Sequence, residues 1–258
     1  MAAHARGFGV QFGVLRALIV RDALMRFGHE NLGFFWVILE PLMFAGGVAV
    51  LWTVLDHTHG RVPTVTFALT GYLMITLLRH IAGASNRILS RNLGLRFHAT
   101  IKPLDIYLAR ALLESLGCLA AFFVAYIPLT TLGVIDPMRD PLLAMGGYAL
   151  QVWFCVGFGL IMAALSETSD VMERVLPVTM YLTLPLTGIF TMQSWLPAKA
   201  QSILAWSPMV NTVEMLRNGM FSADVTTMWD AWFVVWWCFA QTVVGLMLFD
   251  YVRRRVDM

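Results

Sequence analysis

Apolar positions along the chain gather into six long runs, at 34–55, 64–83, 107–134, 141–165, 174–193 and 230–250. Each has the ~20 residues that a helix needs to cross the hydrocarbon core of a bilayer. The pattern therefore predicts an all-α integral membrane protein with six transmembrane helices in a single domain, 1–258. Three stretches stand outside the runs: 1–33, 85–105 and 194–224. In the first, Phe8, Phe12, Leu15 and Ile19 form one helical stripe that Arg16 and Arg21 avoid, the pattern of an amphipathic helix lying in the membrane interface. The second is a basic loop. In the third, prolines 197 and 208 precede Met209, Val213, Leu216 and Met220, which share a face opposite Asn211, Glu214 and Asn218. That spacing predicts short amphipathic helices, interfacial or re-entrant, because a polar face crosses lipid only where it lines a cavity.

Charge gives these helices a direction. Only 13% of residues are charged and 59% are hydrophobic, against about 25% charged in a soluble domain. Arg61, Arg139, Lys199 and Arg217 fall on one side of the predicted spans, and the other fourteen of the 18 lysines and arginines fall on the opposite side. Basic loops stay in the cytoplasm, so both termini are expected there, as an even number of spans requires. Arginines scattered through the first 30 residues leave no uninterrupted apolar core for a cleavable signal peptide. A net charge of +2 with no basic stripe gives no expectation of a nucleic-acid partner. Cys118, Cys155 and Cys238 sit in apolar runs without CxxC spacing and read as small buried hydrophobes.

Several chemistries lack their motifs. Lys102 is followed by Pro103 and Lys199 by Ala200, so the chain has no GxxxxGK[ST] phosphate cradle of its own. HExxH and GxSxG are absent too, and His57 and His59 in a short loop lack the further ligands of a metal site. The chain is expected to be neither an enzyme nor the holder of a cofactor.

Polar residues within the apolar runs are few. Glu40 and Pro41 lie about six residues into the first span, ~9 Å at 1.5 Å per residue. Pro41 removes a backbone hydrogen bond and bends the helix. Two readings of the pair stay open: a bend with Glu40 paired to Arg79 or Arg110, or part of a gate. Arg110 and Glu114 stand four apart on the third span, where their side chains meet. Trp52, Trp195, Trp206, Trp229 and Trp232 fit an interfacial aromatic belt, whereas Tyr72 and Trp153 lie deep in their spans. For those two, packing between helices and the lining of a channel are both open.

Three stretches together resemble a known family. "RFGHENLGFFWVILEPL" (Arg26 to Leu42) is similar to the first-span motif of permeases of ABC-type polysaccharide exporters, with its Leu-Glu-Pro. "IKPLDIYLARALLE" (Ile101 to Glu114) resembles the Pro-Leu-Asp lead into their third span. "LPAKAQSILAWSPMVNTVEMLRNGMF" resembles their external segment, with its Glu-x-x-Arg; here "SPMVN" stands where members often carry Asn-Pro and a histidine. The wording looks most like the capsular polysaccharide branch.

The resemblance implies a channel-forming permease of the bacterial inner membrane, exporting lipid-linked capsular polysaccharide from cytoplasm to periplasm. It implies a second copy of the chain, a separate ATPase subunit carrying ATP and magnesium, a periplasmic adaptor and, through it, an outer-membrane channel. It also places coupling to the ATPase around Arg87, Arg91, Pro103, Leu104 and Asp105. Pro103 would stiffen the loop ahead of the third span, while Asp105 reads equally well as a simple helix cap. Neighbouring cargoes (O-antigen, teichoic acid, another amphiphile) remain alternatives, as does a proton-coupled secondary transporter. For that last reading the charged groups lie too near the cytoplasmic span ends.

Overall fold

The computed structural model describes residues 2–27, 62–92 and 101–256 and a few isolated positions between them. The described elements are helical: α1 (Ala2–Phe27), α2 (Thr64–Ser85), α3 (Ile88–Arg91), α4 (Pro103–Thr131), α5 (Pro141–Thr168), α6 (Asp170–Leu182), α7 (Ala198–Leu204), α8 (Pro208–Met220) and α9 (Ala231–Val256), with 3₁₀ turns at Leu184–Thr187 and Gln193–Trp195. Among the described residues four helices are long and apolar enough to cross a membrane: α2, α4, α5 and α9. They match the second, third, fourth and sixth predicted spans. The first predicted span, with Glu40 and Pro41, lies outside the described residues.

The helix starts follow from local chemistry. Asp140 and Ser207 each cap a helix whose first residue is proline, accepting from Leu143 N at 3.0 Å and Val210 N at 3.4 Å. Pro103 opens α4 in the same way, and Asp105 in its first turn accepts from the backbone N–H of Lys102 at 3.0 Å. Ser169, in extended conformation, ends α5 and caps α6 by accepting from Met172 N at 3.2 Å. The α4–α5 corner is closed by Met138 N donating to the hydroxyl of Tyr126 at 2.7 Å.

Helix α5 is the hub, packing on α9, α8, α2 and α6. Lipid gives helices no hydrophobic push toward one another, so close backbone approach and buried hydrogen bonds must hold the bundle. Both are present. The Tyr148 hydroxyl of α5 donates to Ser115 O of α4 at 2.6 Å, and the Tyr107 hydroxyl of α4 donates to Val156 O of α5 at 2.5 Å. At the α5–α8 crossing, a methyl group on Gly219 would lie 2.4 Å from the backbone nitrogen of Ala144, and one on Gly147 2.7 Å from that of Leu216. Only glycine fits at either position.

Three expectations change. The fifth predicted span, 174–193, is not one helix: α6 has 13 residues and is followed by the 3₁₀ turn and by Gly188 at φ +69°. Pro185, at the start of the 3₁₀ turn, and the left-handed Gly188 break the continuity that apolarity alone suggested, whereas Pro177 is accommodated inside α6. The stretch still climbs from the end of α5 to the level of Gly71 on α2, whose added Cβ would touch Ile189. Second, α1 is helical as expected, and it packs on the bundle through Leu15, Leu18, Ile19 and Asp22, while Phe12 is 73% exposed and falls outside the packed stripe. Its neighbour is α4. Third, α8 is not amphipathic in place. Met209, Val213, Leu216 and Met220 are buried, and so are Asn211 and Glu214 on its polar side.

Candidate functional site at the arginine-rich end

The ends of α2, α5 and α9 and the start of α4 meet at one end of the bundle, which carries Arg79, Arg87, Arg91, Arg110, Arg253 and Arg254. The four residues of α3 project there between α2 and α4. A helix this short has no stability of its own, and carboxylates from the α5–α6 junction hold it. Glu167 Oε1 accepts from the backbone of Leu89 at 2.9 Å and of Ser90 at 3.1 Å, while Oε2 takes the Ser90 hydroxyl. Those are N–H groups of the helix start, where a negative charge also meets the positive end of the helix dipole. Arg87, in the left-handed region at φ 50°, donates its own N–H to Ser166 Oγ at 2.9 Å. Its guanidinium pairs with Asp170 and, at 2.9 Å, with Glu173. Arg91 reaches the same Glu173 at 3.9 Å.

Of the residues assigned to coupling from the sequence, Arg87 and Arg91 thus share one clamp. Pro103, Leu104 and Asp105 stand apart from it at the head of α4, where Leu104 packs on the core and Asp105 is a buried cap. The acidic half of the clamp lies outside the residues expected from the sequence. Glu167, Asp170 and Glu173 follow the fourth span at three-residue intervals, and that acidic row opposite a basic loop was the available signal.

Beside the clamp lies a polar basin of about 670 Å³, walled by Asp22 of α1, Arg79 and His80 of α2, Arg91 of α3, and Arg110 and Glu114 of α4. The expected Arg110–Glu114 pair forms at 4.0 Å, and His80 Nδ1 adds itself to Glu114 at 3.2 Å. Asp22 accepts from Arg21 Nε at 2.8 Å. Arg79 stacks on Tyr181 of α6, with its guanidinium carbon 5.5 Å from the ring centroid and Nη2 3.4 Å from the hydroxyl. Trp153 sits between helices, its indole N–H donating to Thr242 Oγ1 of α9 at 3.1 Å; Tyr72 is half-buried on α2.

The opposite end holds a second charged group of another kind. Glu214 and Arg217 on α8 are 1% and 0% exposed. Their partners are main chain: Arg217 donates to Gly188 O and Ile189 O at 2.7 Å and to Thr191 O at 3.2 Å, and Glu214 accepts from Gln193 N at 3.1 Å and Met228 N at 3.2 Å. Asn211 adds Asp230 N at 2.8 Å, and the Arg217 guanidinium lies 3.8 Å over the ring of Phe67. Burial pushes the Glu214 carboxyl up, opposed by Arg217 and by the two backbone N–H groups. The polar side of α8 therefore faces returning loops, not water. Among the described residues no three metal-ligating side chains converge.

Comparison with known proteins gives this architecture relatives. Residues 13–221 match the model of the ABC-2 type transporter family. The chain is 30% identical to the capsule polysaccharide export inner-membrane protein BexB of Haemophilus influenzae, over 98% of this chain and 96% of that protein. It is 28% identical to the capsule polysaccharide export inner-membrane protein CtrC of Neisseria meningitidis serogroup B, over 96% and 94%. With the polysialic acid transport protein KpsM of Escherichia coli it shares 26% identity over 94% and 95%. The chain is a membrane protein that belongs to the ABC-2 type transporter family.

Proposed function

We propose that this chain is the inner-membrane permease of an ATP-driven exporter of capsular polysaccharide. Two copies would form the channel, and a separate ATPase subunit with its ATP and magnesium would drive it. The arginine-rich end faces the cytoplasm in this reading, following the bias of lysine and arginine, and both termini lie there. The cargo is a lipid-linked glycan, handed on to a periplasmic adaptor and an outer-membrane channel. Nearly full-length similarity to capsule export proteins supports the cargo class.

The observation that carries the mechanism is the clamp on α3. Four residues that cannot fold alone are fastened by Glu167 to the end of α5, the hub of the bundle, and by Asp170 and Glu173 to the start of α6. A push on α3 by an ATPase would therefore pass into α5 and α6 instead of being lost in a loose loop. Through α5 it would reach α2, α8 and α9 together.

The test is purification of the chain with a P-loop ATPase subunit from the same organism, followed by export from inverted vesicles. The expected result is ATP-dependent glycan movement that stops when this chain is omitted. Movement driven by a proton gradient without ATP would overturn the proposal.

A further inference from the structure

The polar basin does not end at Arg79. On the other side of that side chain a second cavity of about 310 Å³ rises between α2, α5 and α6. Its walls are apolar, with Ile75, Ala82, Met162, Leu176, Met180 and Phe190 among them. Arg79 and Gly83 line both chambers, and Gly83 carries no side chain to divide them. The Arg79 guanidinium is held at this junction by the ring and hydroxyl of Tyr181. Arg91 and Arg110 border the basin from α3 and α4, with side chains 61% and 45% exposed.

We propose that these two chambers form one binding site, within a single copy of the chain, for an amphiphile that carries a phosphate next to an alkyl chain. The phosphate occupies the basin, where guanidinium groups from three separate helices bracket it; arginine suits phosphate because its planar fork donates two parallel hydrogen bonds. The alkyl chain occupies the apolar chamber. The basin walls set Arg79, Arg91 and Arg110 against the carboxylates of Asp22 and Glu114, and this excess of positive charge selects the phosphate-bearing occupant over an apolar helix, which would bury arginines against hydrocarbon. The polar chamber lies at the end of the bundle and the apolar one further into it, the order in which a bilayer presents headgroup and chain. Both chambers fall in the size range of small-ligand sites. The inference rests on the export reading, since it assigns where a lipid-linked cargo first meets the protein, but its test is separate.

That test uses the full chain copurified with its ATPase in phosphatidylcholine nanodiscs, probed with dodecyl phosphate, dodecanol and inorganic phosphate. Dodecyl phosphate is expected to bind saturably, and the other two about tenfold or more weaker. Arg79→Gln is expected to erase the preference for dodecyl phosphate over dodecanol. Met180→Trp, which fills the apolar chamber, is expected to erase the preference over inorganic phosphate. Inorganic phosphate binding as tightly as dodecyl phosphate would overturn the proposal in favour of a free-anion site. Absence of saturable binding would overturn it too. Preferences unchanged in both variants would also overturn it. Where wild-type vesicles export with ATP but dodecyl phosphate does not bind, this inference alone fails and the export reading stands.

Discussion

The two charged clusters of this protein use similar residues in opposite ways. On α8, Glu214 and Arg217 are sealed from solvent and bind backbone groups of the returning loops at 188–193 and 228. At the α3 clamp, Arg87 and Glu173 are about one-third exposed and Asp170 is 79% exposed, and the contacts join separate helices. A buried charge whose partners are main-chain groups has one satisfactory arrangement, because any movement leaves a carbonyl or an N–H unpaired in a dry interior. A half-solvated pair loses little when it opens, since water replaces the partner. The first cluster therefore fixes structure, and the second can transmit movement.

Breaking the buried cluster should do the greatest damage. Arg217→Met leaves the carbonyls of Gly188, Ile189 and Thr191 without their donor and Glu214 without its countercharge, at a cost of about 3–5 kcal/mol. The expected outcome is loss of folded protein, read as monodisperse yield after extraction in mild detergent. Next comes the α5–α8 crossing that carries this cluster. Gly219→Ala puts a methyl group 2.4 Å from Ala144 N and should cost about 1–3 kcal/mol, visible as a lower midpoint of thermal unfolding.

Smaller effects should sharpen the contrast at the arginine-rich end. Asp105→Ala removes the acceptor for Lys102 N and should cost about 1 kcal/mol with export retained, because Asp105 is bound to its own helix start and not to the clamp. Loss of export at normal protein levels would instead give Asp105 a share in coupling. Asp170→Asn should change stability by less than about 1 kcal/mol, since its carboxylate is largely exposed, and the small effect should vanish in high salt.

Much of this was legible in the sequence, and the exceptions have causes. Runs of apolar residues mark α2, α4, α5 and α9 because lipid imposes length and apolarity on any helix that crosses it. The Asp105 cap and the Arg110–Glu114 pair were legible because both lie within one helix, where spacing sets contact. Apolarity did not reveal the break in the fifth run, which depends on Pro185 and the left-handed Gly188. The helical wheel of α8 separated polar from apolar residues correctly but could not tell water from a returning backbone as partner of Asn211, Glu214 and Arg217. The contact of His80 with Glu114 joins two helices, so no spacing within one helix could show it. The clamp depends on contacts between residues about 80 positions apart, such as Leu89 with Glu167, beyond the reach of any local pattern.

The most direct test of the account is glycan exported per ATP hydrolysed by the Glu167→Ala permease, assembled with its ATPase. Glu167 contributes about 1 kcal/mol as the cap of α3, so the complex should assemble. The account predicts continued ATP hydrolysis with export per ATP reduced several-fold, because the push on α3 no longer reaches α5. Export per ATP equal to that of the wild type in a fully assembled complex would contradict it.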